Sequence, residues 1–283
     1  FGDKLNMDGI EVGKHLFMRE NARFREIGLT AAKIGGQLIM DGSTFDGQII
    51  MNGTEVGQSL FMREQASFQG VDLTAAKISG QLNMSRSAFK GLLSLNGAVV
   101  GQHLFMSEQA SFHEIELTGA RIGGQLIMDG STFHDKITMS GTEVGQDISM
   151  RDKASFQEVD LTNSKIGGQL IMDGSTFDAT LAMSGAEVLQ DLFMQKQAGF
   201  QEVNLTNAKI GGQVYINGST FAGRLVMNGV KVGQSILIRE QTKLKEVNLA
   251  NAKIGRHLDL SDSTFDGPLH LGGADIGDSL FAR

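Results

Sequence analysis

Residues 33–76 read KIGGQLIMDGSTFDGQIIMNGTEVGQSLFMREQASFQGVDLTAA. Within them a KIGG segment at Lys33 is followed by a VGQ segment at Val56, and the next KIGG-like segment begins at Lys77. The series continues at Arg121, Lys165, Lys209 and Lys253, and the VGQ-like series runs through Val12, Val56, Val100, Val144, Val188, Val232 and Ile276. Each series advances by 44 residues, offset from the other by 22, and no insertion interrupts either. A fixed period of this kind is the signature of a stacked repeat.

The apolar spacing decides what is stacked. Counted from Ile34 as position 0, large apolar residues fall at Leu38, Met40, Ile49 and Met51, with Phe45 between the pairs. From Val56 they fall at Leu60, Met62, Val71 and Leu73, with Phe68 between. Pairs two residues apart suit short strands with alternate side chains inward, not a helical stripe. Gly35, Gly42 and Gly53 lie where a strand would turn a corner, and the reading expects a positive φ there. Each 22-residue coil thus reads as four short sides.

The outward positions support that coil length. Residues one coil apart should stack about 4.8 Å apart, where like charges repel. The position before each Val or Ile reads Glu11, Lys33, Glu55, Lys77, Val99, Arg121, Glu143, Lys165, Glu187, Lys209, Lys231, Lys253 and Asp275. A 44-residue turn would stack like on like along this ladder; a 22-residue turn alternates it.

Small–polar–large triplets recur as Ala66-Ser67-Phe68, Ala76-Lys77-Ile78, Ala208-Lys209-Ile210 and Ser263-Thr264-Phe265. In these the chain resembles the pentapeptide-repeat proteins. The resemblance implies an all-β, right-handed, four-sided parallel β-helix (β-solenoid), here a variant with about 13 coils of 22 residues. It also implies that some relatives act as acidic mimics of DNA toward type II topoisomerases; it carries no catalytic residue and no cofactor. The expected organisation is one continuous solenoid domain over residues 1–283, belonging to a longer chain or lacking its caps, because bare solenoid ends expose strand edges.

Composition narrows the function. Gly 37 without a three-residue period, and Pro 1, exclude collagen. Cys 0 removes disulfides, thiolate metal sites and a Cys nucleophile, and leaves the compartment open. No apolar run reaches the length of a membrane span. The 14 Met residues share positions with Leu95 and Ile216, so they read as core filling rather than a copper ladder. His113, His134 and Asp135 could approach one another as metal ligands, but solvated surface side chains are the simpler reading. An uninterrupted repeat offers no loop to wall a catalytic cleft, so neither catalytic residues nor a cofactor are expected. Thr44, Thr132, Thr176, Thr220 and Thr264 align only on alternate coils, with Ser67, Ser111 and Ser155 between, which is not the flat Thr array of an ice-binding face.

Two surface features remain. Position 5, between inward residues, reads Phe17, Ile39, Phe61, Phe105, Ile127, Ile171, Phe193, Tyr215, Leu237 and Phe281, broken by Asn83, Ser149 and Asp259. The matching opposite position is mostly polar, as at Asn6, Asp72, Glu116, Asp160 and Asn204. A one-sided apolar row predicts an interface for a protein partner or a second copy. The second feature is charge: residues 100–200 hold 14 acidic and 6 basic groups within a chain of net charge −7. That sign disfavours direct nucleic-acid binding and leaves DNA mimicry as the alternative function.

Overall fold

The computed structural model describes residues 4–283; the opening at Phe1 lies outside them. It is an all-β parallel β-solenoid of about 13 coils, each about 22 residues, with no helix among the described residues. Contacts group the chain into two units, Phe1–Gly145 and Gln146–Arg283.

In the first unit the two-residue strands Glu11–Val12, Lys33–Ile34, Glu55–Val56 and Lys77–Ile78 pair in parallel, Glu11 opposite Lys33, Lys33 opposite Glu55 and Glu55 opposite Lys77. A second sheet stacks Leu16–Phe17, Leu38–Ile39, Leu60–Phe61 and Leu82–Asn83 in the same 22-residue register. The remaining two sides of the coil do not form separate sheets. They run on as one strand in Thr44–Ile50 and Ser67–Asp72, so the four sides read from the sequence resolve into three sheets. The second unit repeats this pattern, with Lys165 opposite Glu187, Leu170 opposite Leu192 and Thr176–Ala182 as a continuous strand.

The third sheet explains why the sequence repeats every 44 residues while the coil closes in 22. Ile49 pairs with Val71 at the coil length, but Phe45 pairs with Phe68, one residue further on, and the register shifts between Phe68 and Gly70. The shift is set at the preceding corner. One coil turns through a single left-handed residue, Gly42 (φ 63°); the next uses two, Glu64 (57°) and Gln65 (65°). The added corner residue is removed from the following strand, which shortens from seven residues to six. Phe therefore stacks on Phe in an unbroken inner column, Phe24–Phe45–Phe68–Phe89–Phe112–Phe133, with centroids 4.7–5.2 Å apart. Phe156, Phe177, Phe200 and Phe221 form the same column in the second unit. Offset ring stacking of this kind adds to the burial of the rings themselves.

Leu38, Met40, Leu60, Met62, Leu82 and Met84 fill the bore with no exposed surface, which places the methionines in the core. The small residues Ala32, Thr54 and Ala76 are buried with them. The buried Thr54 hydroxyl donates to the Leu29 carbonyl at 2.6 Å, satisfying a polar group in an apolar interior.

The glycines have two distinct causes. Gly42 and Gly53 adopt positive φ, as the sequence predicts. Gly35 does not, which corrects the expectation at that corner: a Cβ there would stand 2.6 Å from the Gly13 carbonyl oxygen one coil away, and at Gly57 2.5 Å from that of Gly35. Close approach of successive backbones, not backbone conformation, favours Gly in this row, where Ser79 and Leu189 are the exceptions.

Candidate interaction surface

Several neighbours along the charge ladder form ion pairs. Lys33 reaches Glu11 at 3.4 Å, Lys77 reaches Glu55 at 2.9 Å, and Arg121 reaches Glu143 at 3.3 Å. In the second unit Lys209 pairs with Glu187. The Lys77 hydrogen bond holds the Glu55 carboxyl below the usual carboxylate range, and Lys209 does the same to Glu187. These pairs are exposed, so each contributes modestly to stability.

The ladder draws on some of the acids of the central third. Glu143 and Glu187 are paired within it; Glu108 accepts from Arg86 at 2.6 Å, and Asp173 from Lys196 at 2.9 Å. Asp147 and Asp191 accept the backbone N–H of Gln169 and Gln213, at 2.8 and 2.7 Å. The sequence reading missed this last role. The same corner position holds His15 and His103, whose Nδ1 atoms accept the N–H of Gln37 (3.0 Å) and Gln125 (3.1 Å), and Ser59, which accepts from Gln81. An acceptor recurring every 44 residues, whether His, Ser or Asp, is the signal that identifies it.

His113 and His134 do come together, with ring centroids 5.0 Å apart. Each already has its own partner: His113 Nδ1 meets Asp135 at 2.9 Å, and His134 Nε2 meets Ser111 Oγ at 3.1 Å. No group of three His, Asp or Glu side chains suited to a metal occurs among the described residues.

The apolar row lies on the second sheet, in register. In the first unit it runs Phe17, Ile39 and Phe61, then Asn83, Phe105 and Ile127. In the second it runs Ile171, Phe193, Tyr215 and Leu237, flanked by Ser149 and Asp259, with Phe281 beyond. Phe193 and Tyr215 stack face to face, 4.8 Å apart at 3°. The row is less open than an outward position suggests. Phe17 is 50% exposed, but Phe61 is only 9% exposed because rung neighbours stack on it and Arg63 lies over its ring at 4.2 Å. The other apolar members are half-buried.

Two of the three interruptions have a local cause: Asn83 and Asp259 accept the N–H of Ser85 and Ser261, forming side-chain-closed turns. On the opposite row Asp72, Asp160 and Asn204 do the same for Thr74, Thr162 and Thr206. That opposite row also carries Ile50 and Val226 between its polar members, so the asymmetry between the faces is one of degree.

Fold and surface together define a parallel β-solenoid repeat protein. No family model matches the chain, and no curated protein matches it. Among solved structures it is similar to HetL, a pentapeptide repeat protein involved in heterocyst differentiation regulation from the cyanobacterium Nostoc sp. strain PCC 7120, at 14% identity over 96% of this chain and 90% of that one, with a TM-score of 0.26.

Proposed function

We propose that this protein is a non-enzymatic scaffold that meets a protein partner or a second copy of itself through the apolar row. The observation that carries the reading is the uninterrupted run Ile171–Phe193–Tyr215–Leu237, apolar on four successive coils where the sheet faces outward. Rung stacking rewards such side chains by itself, and what remains exposed forms a continuous strip, the form an interface takes. Coils that close in about 22 residues raise no loop to enclose a substrate, which supports a surface role over catalysis. DNA mimicry is the weaker reading, because several acids of the central third are engaged by cations or backbone N–H groups.

Sedimentation of the full chain tests this. The wild type is expected above monomer mass, and replacement of Phe61, Phe105 and Phe193 by Ser is expected to return it to monomer while circular dichroism stays that of a β-solenoid. A wild-type chain that is monomeric, and captures no partner that the triple variant fails to capture, overturns the reading.

A further inference from the structure

One stretch of the charge ladder breaks its own rule. Lys209 lies in register with Lys231, and Lys231 with Lys253, so three cations stand on successive coils. Glu187 flanks the run on one side and Asp275 on the other, each in register with an outer lysine. Lys231 has only lysines beside it and takes part in no ion pair among the described residues. Elsewhere the fold avoids this arrangement: where an acid is missing between Lys77 and Arg121, the position holds the neutral Val99. Lysines on strands that stack about 4.8 Å apart bring like charges together, and like charges repel, so the free chain keeps this row at a cost.

The same stretch is a groove of about 510 Å³. Gly211, Gly233 and Gly255 line it without side chains, and a Cβ on any of them would stand 2.2 Å from the carbonyl oxygen of the preceding coil. The lysines form one wall. At the Glu187 end the Gly row is broken by Leu189, 65% exposed, an apolar side chain with solvent on most of its surface. Local charge agrees: residues 201–283 hold 9 basic and 8 acidic groups, against 6 and 14 in residues 100–200.

We propose that this groove docks an extended acidic peptide segment of a partner protein. Acidic side chains on the segment would supply the counter-charge that Lys231 lacks, and a flanking apolar residue would cover Leu189. A side-chain-free floor lets an extended backbone lie close. A peptide suits the site better than a polyphosphate or nucleic acid, because it can offer both carboxylates to the lysines and an apolar group to Leu189, while the chain's net charge of −7 repels a dense polyanion. The groove lies on a different sheet from the apolar row, so either surface can fail without the other.

The test is fluorescence anisotropy of a short labelled peptide, alternating Glu and Ser and ending in Leu, titrated with the full chain. Saturable binding is expected, weakened about tenfold by Lys231→Glu and by raised salt, reduced by Leu189→Gly, and unchanged by Lys90→Glu, which lies just after the strand Ala88–Phe89. Lys231→Glu restores the charge alternation, so its thermal midpoint should equal or exceed that of the wild type and loss of binding cannot be loss of fold. The proposal is overturned by absence of saturable binding, by equal binding to Lys231→Glu, or by tripolyphosphate binding more tightly than the peptide in a Lys231-dependent way.

Discussion

Phe68 stacks on Phe45 with ring centroids 4.8 Å apart, although the coil that separates them is one residue longer at this point than the coil length measured at Val71 and Ile49. The core thus keeps its aromatic column by shifting one residue between a corner and a side. Emptying a position in the column should therefore cost more than replacing its ring with another large apolar side chain. Phe112→Ala is expected to lower stability by about 3–5 kcal/mol, whereas Phe112→Leu should cost about 1 kcal/mol, since Leu244 already occupies this column between Phe221 and Phe265. Urea unfolding measures both; equal losses would contradict a column that tolerates Leu.

The two causes of glycine predict different responses to one substitution. Gly57→Ala places a Cβ against the Gly35 carbonyl and is expected to cost about 2 kcal/mol or more. Gly53→Ala meets no neighbour within 4 Å and bears only left-handed strain, about 1 kcal/mol. Gly53→Asn should be close to neutral, because Asn163, Asn207 and Asn251 hold that conformation at the same point of other coils. Thermal midpoints should fall in the order Asn, Ala at 53, then Ala at 57.

His103 is an acceptor here, not a ligand. His103→Ser should be nearly neutral, as Ser59 performs the same task two coils earlier. His103→Leu leaves the Gln125 N–H without its partner and should cost about 1 kcal/mol or more. Hydrogen exchange at the Gln125 amide reads this directly: slow in the Ser variant, fast in the Leu variant.

Lys77 sets the acidity of Glu55. The carboxyl lies below its ordinary value of 4.5 because of the Lys77 hydrogen bond, so the pair stabilises the fold above that value and the contribution fades as pH falls through the lowered one. Lys77→Met should bring the Glu55 titration, followed by NMR, back up toward 4.5. No upward movement would show that the pair does not form in solution.

Much of this is legible in the sequence. The 22-residue coil follows from Leu38, Met40, Ile49 and Met51 together with the sign alternation at Glu11, Lys33, Glu55 and Lys77, because strand periodicity and charge both leave a mark on residue type. The cause of the 44-residue period did not. It rests on Glu64 and Gln65 adopting left-handed backbone, and neither residue type signals that conformation as Gly does. The burial of Phe61 was hidden for a related reason: strand alternation says which way a side chain points, not that Arg63 lies across it. His15 and His103 looked like surface residues because a side chain accepting a backbone N–H from the next coil has no local pattern.

The central claim is that coils of two kinds must alternate. Comparing thermal unfolding of two excisions tests it. Removal of residues 57–100 takes out one coil of each kind and keeps the order; removal of 57–78 takes out one coil and sets two single-residue corners, those at Gly42 and Arg86, on adjacent rungs. The account predicts that the shorter protein, lacking 44 residues, unfolds at the higher temperature. A protein lacking 22 residues that is equally or more stable would contradict it.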